Sequence, residues 1–343
     1  MEIIILDKDL NKLALIEDAD VIWTTRFYDV GDFEIYVAAS TQKINLLQIG
    51  FYVMRTDDDQ IGVIEDLQIE YEEQSGEFLK ATGRFVECLL ERRIVWEQTR
   101  LSGTAENGLR NLINTNIINP TDSKRKIPKI ELGNVQGFTE RLDAQYTGDN
   151  LLEINKNVAL QNNTGFKFKL ENGAFKFELY KGKDRSYNQN ANTYVVFSDE
   201  YDNLISSEYQ HVTSLKRNCI VVAGEGEGAA RRRAVIGVNE EGLDRYELFV
   251  DAKDISSNSG EIDASEYEAA LIAKGNESIV TITQAFTGQV DLERSYKYKR
   301  DFFVGDIVTI ENKNWGIFIN SRIIEIIESF DNSGYKITPT FGA

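Results

Sequence analysis

Along this chain, apolar and polar residues alternate more often than they recur at helical spacing. Alternation puts every second side chain on one face, as a half-buried strand requires. Asp32-Phe33-Glu34-Ile35-Tyr36-Val37 is the clearest case. Residues 2–6 and 12–16 read as a hairpin around 7–11, and residues 50–55, 62–69 and 78–89 as three further strands. Phe166-Lys-Phe168-Lys-Leu170 and Phe175-Lys-Phe177-Glu-Leu179 flank Glu171-Asn172-Gly173, a strong hairpin signal. Strands are expected again at 194–197, 218–223, 233–238 and 246–250, and the stretch 278–340 is strand-rich.

Helical spacing is confined to a few segments. Ser40 is placed to cap a short helix through Leu47, with Ile44 and Leu47 on one face. Thr104 caps a second, in which Leu109, Leu112, Ile113 and Ile117 recur and which Pro120 closes. A polar loop is expected from there to about Gly148. Another helix then starts near Asp149, with Leu151, Leu152, Ile154, Val158 and Leu160 apolar. Asp263 and Glu266 have capping-box spacing for a helix that reaches Lys274 and stops at Gly275. The Ser/Asn/Gly-rich run 256–260 before it is the best flexible boundary in the sequence.

A weak internal echo adds organisation. Ile49-Gly50-Phe-Tyr-Val53, Gly62-Val-Ile-Glu-Asp66 and Ile69-Glu-Tyr-Glu-Glu73 are matched by Val304-Gly305-Asp-Ile-Val308, Gly316-Ile-Phe-Ile-Asn320 and Ile324-Glu-Ile-Ile-Glu328, at an offset of 254 to 255. Each copy reads as a strand headed by glycine, a turn, and a long strand. Two similar β domains in one chain would let a trimer present six around an axis. If Val308 lies on an edge strand, a proline there should break assembly more than folding.

Composition narrows the classes. At 343 residues with 42 % apolar content the chain is long enough for two to four packed domains, and its three prolines leave no Pro-rich linker to divide them. The net charge of −18 opposes binding to other polyanions. Its two basic runs, Lys124-Arg125-Lys126 and Arg231-Arg232-Arg233, sit in polar stretches and read as solvated or partner-facing loops. Cys88 and Cys219, both in strand-like apolar settings, read as buried free thiols made in a reducing compartment. The first residues lack the pattern of a signal peptide, and no apolar run has the length of a membrane span.

No constellation for chemistry stands out. His211 is the single histidine, which removes most Ser/His and Cys/His arrangements and zinc sites, and it reads as a surface residue. Gly224-Glu-Gly226-Glu-Gly228 has no following Gly-Lys-Ser/Thr, and its glutamates would repel phosphate. Asp57-Asp58-Asp59 lacks the rest of an EF-hand loop and reads as a turn of solvated acids. Paired carboxylates for glycoside hydrolysis are always available among 56 acids, so they carry no weight without a cleft. Trp23, Trp96 and Trp315 all fall in contexts that suggest core packing rather than a saccharide platform. No catalytic, metal-binding or cofactor-binding residue is assigned, no cofactor is expected, and the chain reads as a non-enzyme.

Several strings taken in order carry a resemblance. They are Cys88-Leu-Leu-Glu-Arg-Arg-Ile-Val-Trp96, Asn150-Leu-Leu-Glu-Ile, Leu179-Tyr-Lys-Gly182-Lys-Asp184-Arg185-Ser186, Phe197-Ser198-Asp-Glu-Tyr-Asp-Asn203-Leu, Gly242-Leu-Asp-Arg-Tyr-Glu247-Leu-Phe-Val-Asp251, Val304-Gly305-Asp306-Ile-Val308-Thr and Ile337-Thr-Pro-Thr-Phe-Gly342. Over nearly its whole length the chain resembles the Gp37-like tail proteins of siphophages and prophages. That family is similar to contractile-tail baseplate hub proteins and to the N-terminal part of tail-associated lysins.

The resemblance implies an α+β, mostly β, multi-domain baseplate-hub-like fold with two tail-tube-like β-barrel domains and intervening α+β domains. The expected division is 1–95 with the return segment 195–255 as the first tube-like domain, 96–194 as an inserted α+β domain, and 256–343 as the second tube-like domain. It implies a homotrimeric hub ring in the virion tail tip or baseplate, made in the bacterial host cytoplasm without stable membrane insertion. Its partners would be the distal tail protein, the tail tube and other tail-tip proteins, with DNA passing through the channel without specific binding. Residues 57–77 hold nine carboxylates and no Lys or Arg, so a lumen lined by them would repel DNA. Many tail lysins continue into a lytic region, whereas this sequence ends at Ala343, which argues against lysis. The alternative is a tail-associated cell-wall hydrolase or a host-surface saccharide-binding protein.

Overall fold

The computed structural model describes residues 2–73, 76–237, 239–280, 283–291 and 296–342. It divides into two compact units: unit 1 is Met1–Cys88, Thr164–Tyr209 and Ala285–Ala343, and unit 2 is Leu89–Asn163 and Gln210–Gln284. These segments differ from the division read from the sequence. The run 256–260 lies within unit 2, where Ser256 and Ser257 are held by Glu225.

Unit 1 starts with β1 (Ile3–Leu6), β2 (Lys12–Ile16), β3 (Asp20–Arg26) and β4 (Asp32–Ala38). Helix α1 (Thr41–Leu46) follows, capped by Ser40, then β5 (Tyr52–Arg55), β6 (Ile61–Glu72) and β7 (Gly76–Phe85). The strand expected at 78–89 ends at Phe85. Val86–Arg92 is a 3-10 helix, so Cys88 is a buried thiol on a helical turn. In unit 2 come β8 (Thr99–Thr104), α2 (Ala105–Ile113), β9 (Ile130–Leu132), β10 (Arg141–Tyr146) and α3 (Leu151–Asn162). The chain returns to unit 1 through β11 (Gly165–Glu171), β12 (Ala174–Tyr180) and β13 (Val196–Ser198), and leaves it along β14 (Glu208–Val212). Unit 2 then adds β15 (Cys219–Ala223), β16 (Arg233–Ile236), β17 (Glu247–Asp251) and α4 (Ala264–Asn276). Last come β18 (Thr283–Thr287), β19 (Ile307–Asn312), β20 (Ile317–Asp331) and β21 (Gly334–Gly342). The expected strand 233–238 corresponds to β16, and Val238 lies outside the described residues.

Unit 2 corrects the expected polar loop. Residues 121–148 contain β9 and β10, and β10 pairs antiparallel with β8. Buried Glu106 fastens the turn between them by accepting the backbone N–H groups of Gln136, Gly137 and Phe138 at 2.6, 2.9 and 3.0 Å. In a chain region without apolar periodicity, one carboxylate thus satisfies three backbone donors. The sheet β16-β15-β17 packs Ile220, Val222 and Ala234 with Tyr267 and Leu271 of α4. Helix α4 runs one residue past the expected stop, because Gly275 is pressed against Ile236 and Val222 and serves close packing.

The large sheet of unit 1 contains the echo. One half has the strand order β3-β4-β7-β6-β5, and the other β14-β18-β21-β20-β19. In both, the long strand carries a bulge, between Ile64 and Asp66 in β6 and between Ile323 and Glu325 in β20. In both, the glycine heading the meander donates its N–H just before the bulge: Gly50 to the Ile64 carbonyl at 2.8 Å, Gly305 to that of Ile323 at 2.7 Å. The glycines have φ of +82° and +94°, a region that favours residues without a Cβ. The echo is therefore a repeat of topology. Its register in the long strand differs by a few residues from that read in the sequence, because bulge and turn lengths shift the count.

The halves are joined edge to edge: β20 pairs antiparallel with β3, Glu325 opposite Arg26 and Glu328 opposite Trp23. Strand β19 lies between β20 and β13, and Val308 is fully buried. Val308 is therefore central, and a proline there would disrupt folding rather than assembly. In the first half Trp23, Phe33 and Phe85 stack with ring centroids 5.8 and 4.8 Å apart. Gly83 faces this cluster, and a Cβ there would lie 1.8 Å from the Val63 carbonyl oxygen. Gly83→Ala should lower the stability of unit 1 by about 2 kcal/mol, measured by urea denaturation; an unchanged midpoint would show that β6 and β7 separate freely.

Candidate assembly site

The seam between β3 and β20 buries an ion pair. Arg55, at the end of β5, and Glu328, in the second half of β20, are each 1 % exposed. The guanidinium reaches Glu328 Oε2 at 2.8 Å through Nη1 and Oε1 at 3.0 Å through Nη2. The same guanidinium donates to both Asp57 oxygens, at 2.8 and 2.6 Å, and lies 5.7 Å from the Trp23 ring centroid. Lys299 Nζ adds contacts to Glu328 at 3.2 Å and to Asp58 at 2.6 Å, and Tyr335 donates its hydroxyl to Glu328. Burial by itself would ease the Arg55 proton off. The Asp57 hydrogen bonds and the charge of Glu328 more than offset this and hold it firmly cationic. Burial, then the Glu328 charge, raise the Tyr335 hydroxyl, which stays a donor.

At the margin of the seam Arg26 donates to Glu325 at 2.7 Å and pairs with Asp32. Beside the cluster is a cleft of about 590 Å³ whose lining includes Asp58, Asp59, Lys167, Tyr180 and Lys299. Asp58 is already paired with Lys299, and Asp59 with Lys167 at 2.8 Å. The arrangement fixes two β halves against each other; its charges are spent on one another.

The solvated turn expected of Asp57, Asp58 and Asp59 holds for two of the three: the side chains of Asp57 and Asp59 are 60 % and 56 % exposed, whereas that of Asp58 is 4 % exposed. All three are paired at the seam: Asp57 with Arg55 two residues away, but Asp59 with Lys167 and Asp58 with Lys299, 108 and 241 positions away, which local sequence does not show. The acidic run accordingly splits. Glu65 is paired with Arg84 at 2.8 Å, while Asp66, Gln68, Ile69 and Tyr71 stand exposed further along β6. Trp23 is buried, but Trp96 and Trp315 are 63 % and 50 % exposed rather than in a core. The basic runs are not simply solvated: Arg125 stacks 4.9 Å from the Trp96 ring, Arg231 lies over Phe249 and Arg232 lies 3.8 Å from the Tyr267 ring. His211 lies exposed on β14. Gly224–Gly228 forms a turn after β15 whose Glu225 carboxylate accepts from Ser256 and Ser257 and is held below its ordinary range, first by the Ser257 hydroxyl.

The whole described fold matches a known set of proteins. Residues 2–343 match the family described as Siphovirus ReqiPepy6 Gp37-like protein. The chain belongs to that family. No curated protein matches it. Among solved structures, this Gp37-like protein is similar to the tail protein from Neisseria meningitidis MC58, with a TM-score of 0.58 at 11 % identity over 99 % of this chain and 96 % of that one. It is similar to the 43 kDa tail protein of prophage MuSo2 from Shewanella oneidensis, with a TM-score of 0.56 at 12 % identity over 99 % and 98 %. It is also similar to prophage tail protein gp18 from Listeria monocytogenes EGD-e, with a TM-score of 0.53 at 14 % identity over 99 % and 94 %. At such identities the likeness is one of fold, mostly β and built from several sheets, as expected. No helix among the described residues is long and apolar enough to cross a membrane.

Proposed function

We propose that this Gp37-like protein is a structural component of a phage-type tail tip or baseplate, the subunit of a trimeric hub ring around a central channel. The observation that carries this reading is the repeat of strand order within one sheet, β3-β4-β7-β6-β5 and β14-β18-β21-β20-β19. Two equivalent halves per chain, taken three times, give six similar β units about one axis, which suits a junction between three-fold and six-fold layers. The halves are the tail-tube-like domains of this reading, and unit 2 supplies surfaces for the distal tail protein and other tip proteins. The tail tube abuts the ring, and DNA passes through a channel whose acidic lining does not hold phosphate. The role is non-enzymatic: the seam's buried charges are paired and serve cohesion.

The test is mass by light scattering after size exclusion, with negative-stain images of the same peak. Three times the chain mass with six-lobed rings is the expected result. A monomer at every concentration, alone and with its tail partners, would overturn it.

A further inference from the structure

The two halves differ at one place, and the difference points to a contact between copies. In each half the strand preceding the long one stops at the bulge. Ile64 donates its N–H to the Phe51 carbonyl at 2.9 Å, and Ile323 donates to that of Asp306 at 2.8 Å. Past the bulge of β20, the vacated flank is taken by β3, which pairs from Glu325 to Phe330. Past the bulge of β6, residues 66–72 have β7 on one flank and, among the described residues, no strand on the other. Exposure follows: Ile326 and Glu328 are 0 % and 1 % exposed, whereas Ile69 and Tyr71 are 54 % and 70 % exposed. A bare flank with protruding apolar side chains is a template for another strand.

The strand that should fill it is identified by the same repeat. β3 lies beside β4, and β14 beside β18. The neighbours correspond: Phe33 of β4 sits opposite β7 and Phe286 of β18 opposite β21, and both rings are 1 % exposed. β14 is therefore the counterpart of β3. Among the described residues it ends the sheet, with Glu208, Gln210 and His211 exposed. The chain thus carries one closed junction and both sides of a second, open one.

We infer that β14 of one copy lies antiparallel along residues 66–72 of β6 in the next copy, repeating between chains the junction that β3 and β20 make within a chain. The inference rests on the ring reading and supplies its contact. The two surfaces are different patches, so the interface is head-to-tail, and a rotation that closes gives a ring rather than a two-fold dimer. Main-chain hydrogen bonds give cohesion, and Ile69 and Tyr71 lose exposure on pairing.

The test uses the full chain with Ile69→Cys and His211→Cys, singly and together, and a short bis-maleimide; Cys88 and Cys219 are buried and the parent chain is the control. The double variant should give covalent species of two and three chains, stopping at three. An equimolar mixture of the single variants should give linked pairs, and each single variant alone should give none. Linked pairs from Ile69→Cys alone would show a two-fold contact and overturn the proposal. A trimer mass by light scattering without cross-linking would overturn the strand pairing and leave the ring standing. A monomer mass without cross-linking at the highest concentration reached, alone and with its tail partners, would overturn both.

Discussion

Replacing Arg55 with alanine should destabilise unit 1 by about 3–5 kcal/mol, because it leaves the Glu328 carboxylate buried with its main counter-charge gone. Glu328 is 1 % exposed and sits on β20 opposite Trp23, so water cannot take the place of the guanidinium. Lys299, 3.2 Å from the same carboxylate, keeps part of the balance and places the expected value toward the lower end. Urea denaturation followed by tryptophan fluorescence measures it, since Trp23 lies beside the lost group. The double variant Arg55→Met, Glu328→Met should regain most of the loss, because removing both charges removes the desolvation cost of each. If the single variant lost under about 1 kcal/mol, the pair would be solvated like a surface salt bridge, and the seam would owe its cohesion to the strand pairing alone.

Glu87→Gln should act in the other direction. Burial pushes the Glu87 carboxyl up to about 7, although the Phe168 N–H donates to it at 2.7 Å and favours the charged form. Its second oxygen, Oε2, has no hydrogen-bond partner among the described residues. In the unfolded chain the group titrates near 4.5, so between about pH 4.5 and 7 the folded state holds a proton that the unfolded state has released. Stability is therefore fullest below that window, falls as pH rises through it, and above about pH 7 is lower by about 3 kcal/mol. Glutamine keeps the acceptor for Phe168 and cannot ionise. The variant should exceed the parent by about 2 kcal/mol at pH 8 and match it near pH 5, with denaturation at both values as the check. An equal difference at the two values would show that Glu87 titrates normally.

How much of this was legible in the sequence depends on the range of the interaction. The caps at Ser40, Thr104 and Asp263, and the hairpin at Asn172-Gly173, were readable because a side chain and the backbone it serves lie within four residues. The Asn172 and Gly173 φ values of +54° and +75° suit the two-residue turn that those residue types favour. Strand β3 was missed because Asp20-Val-Ile-Trp-Thr-Thr-Arg does not alternate cleanly: Trp23, Thr24 and Thr25 are all buried, as a strand covered on both faces permits. The seam was missed for a different reason. Asp58 and Asp59 look solvated in any local window, and only the return of Lys299 and Lys167 supplies their counter-charges, as the return of Glu328 supplies that of Arg55. The echo was visible through its glycines, since Gly50 and Gly305 head equivalent turns. The bulges that fix the register leave no comparable mark.

The pairing of β3 with β20 also sets an order of events during synthesis. Arg26 and Glu325, its opposed residues, are separated by 299 positions. Strands β1 to β7 are local and complete by Phe85, so the first half can form while the rest of the chain is still being made. At roughly 5–20 residues per second, the ribosome leaves the flank of β3 bare for roughly 15–60 s before its partner strand emerges. Throughout that interval the nascent chain offers an open strand edge to any neighbour on the same message, so the step most exposed to misassembly comes before the chain is finished.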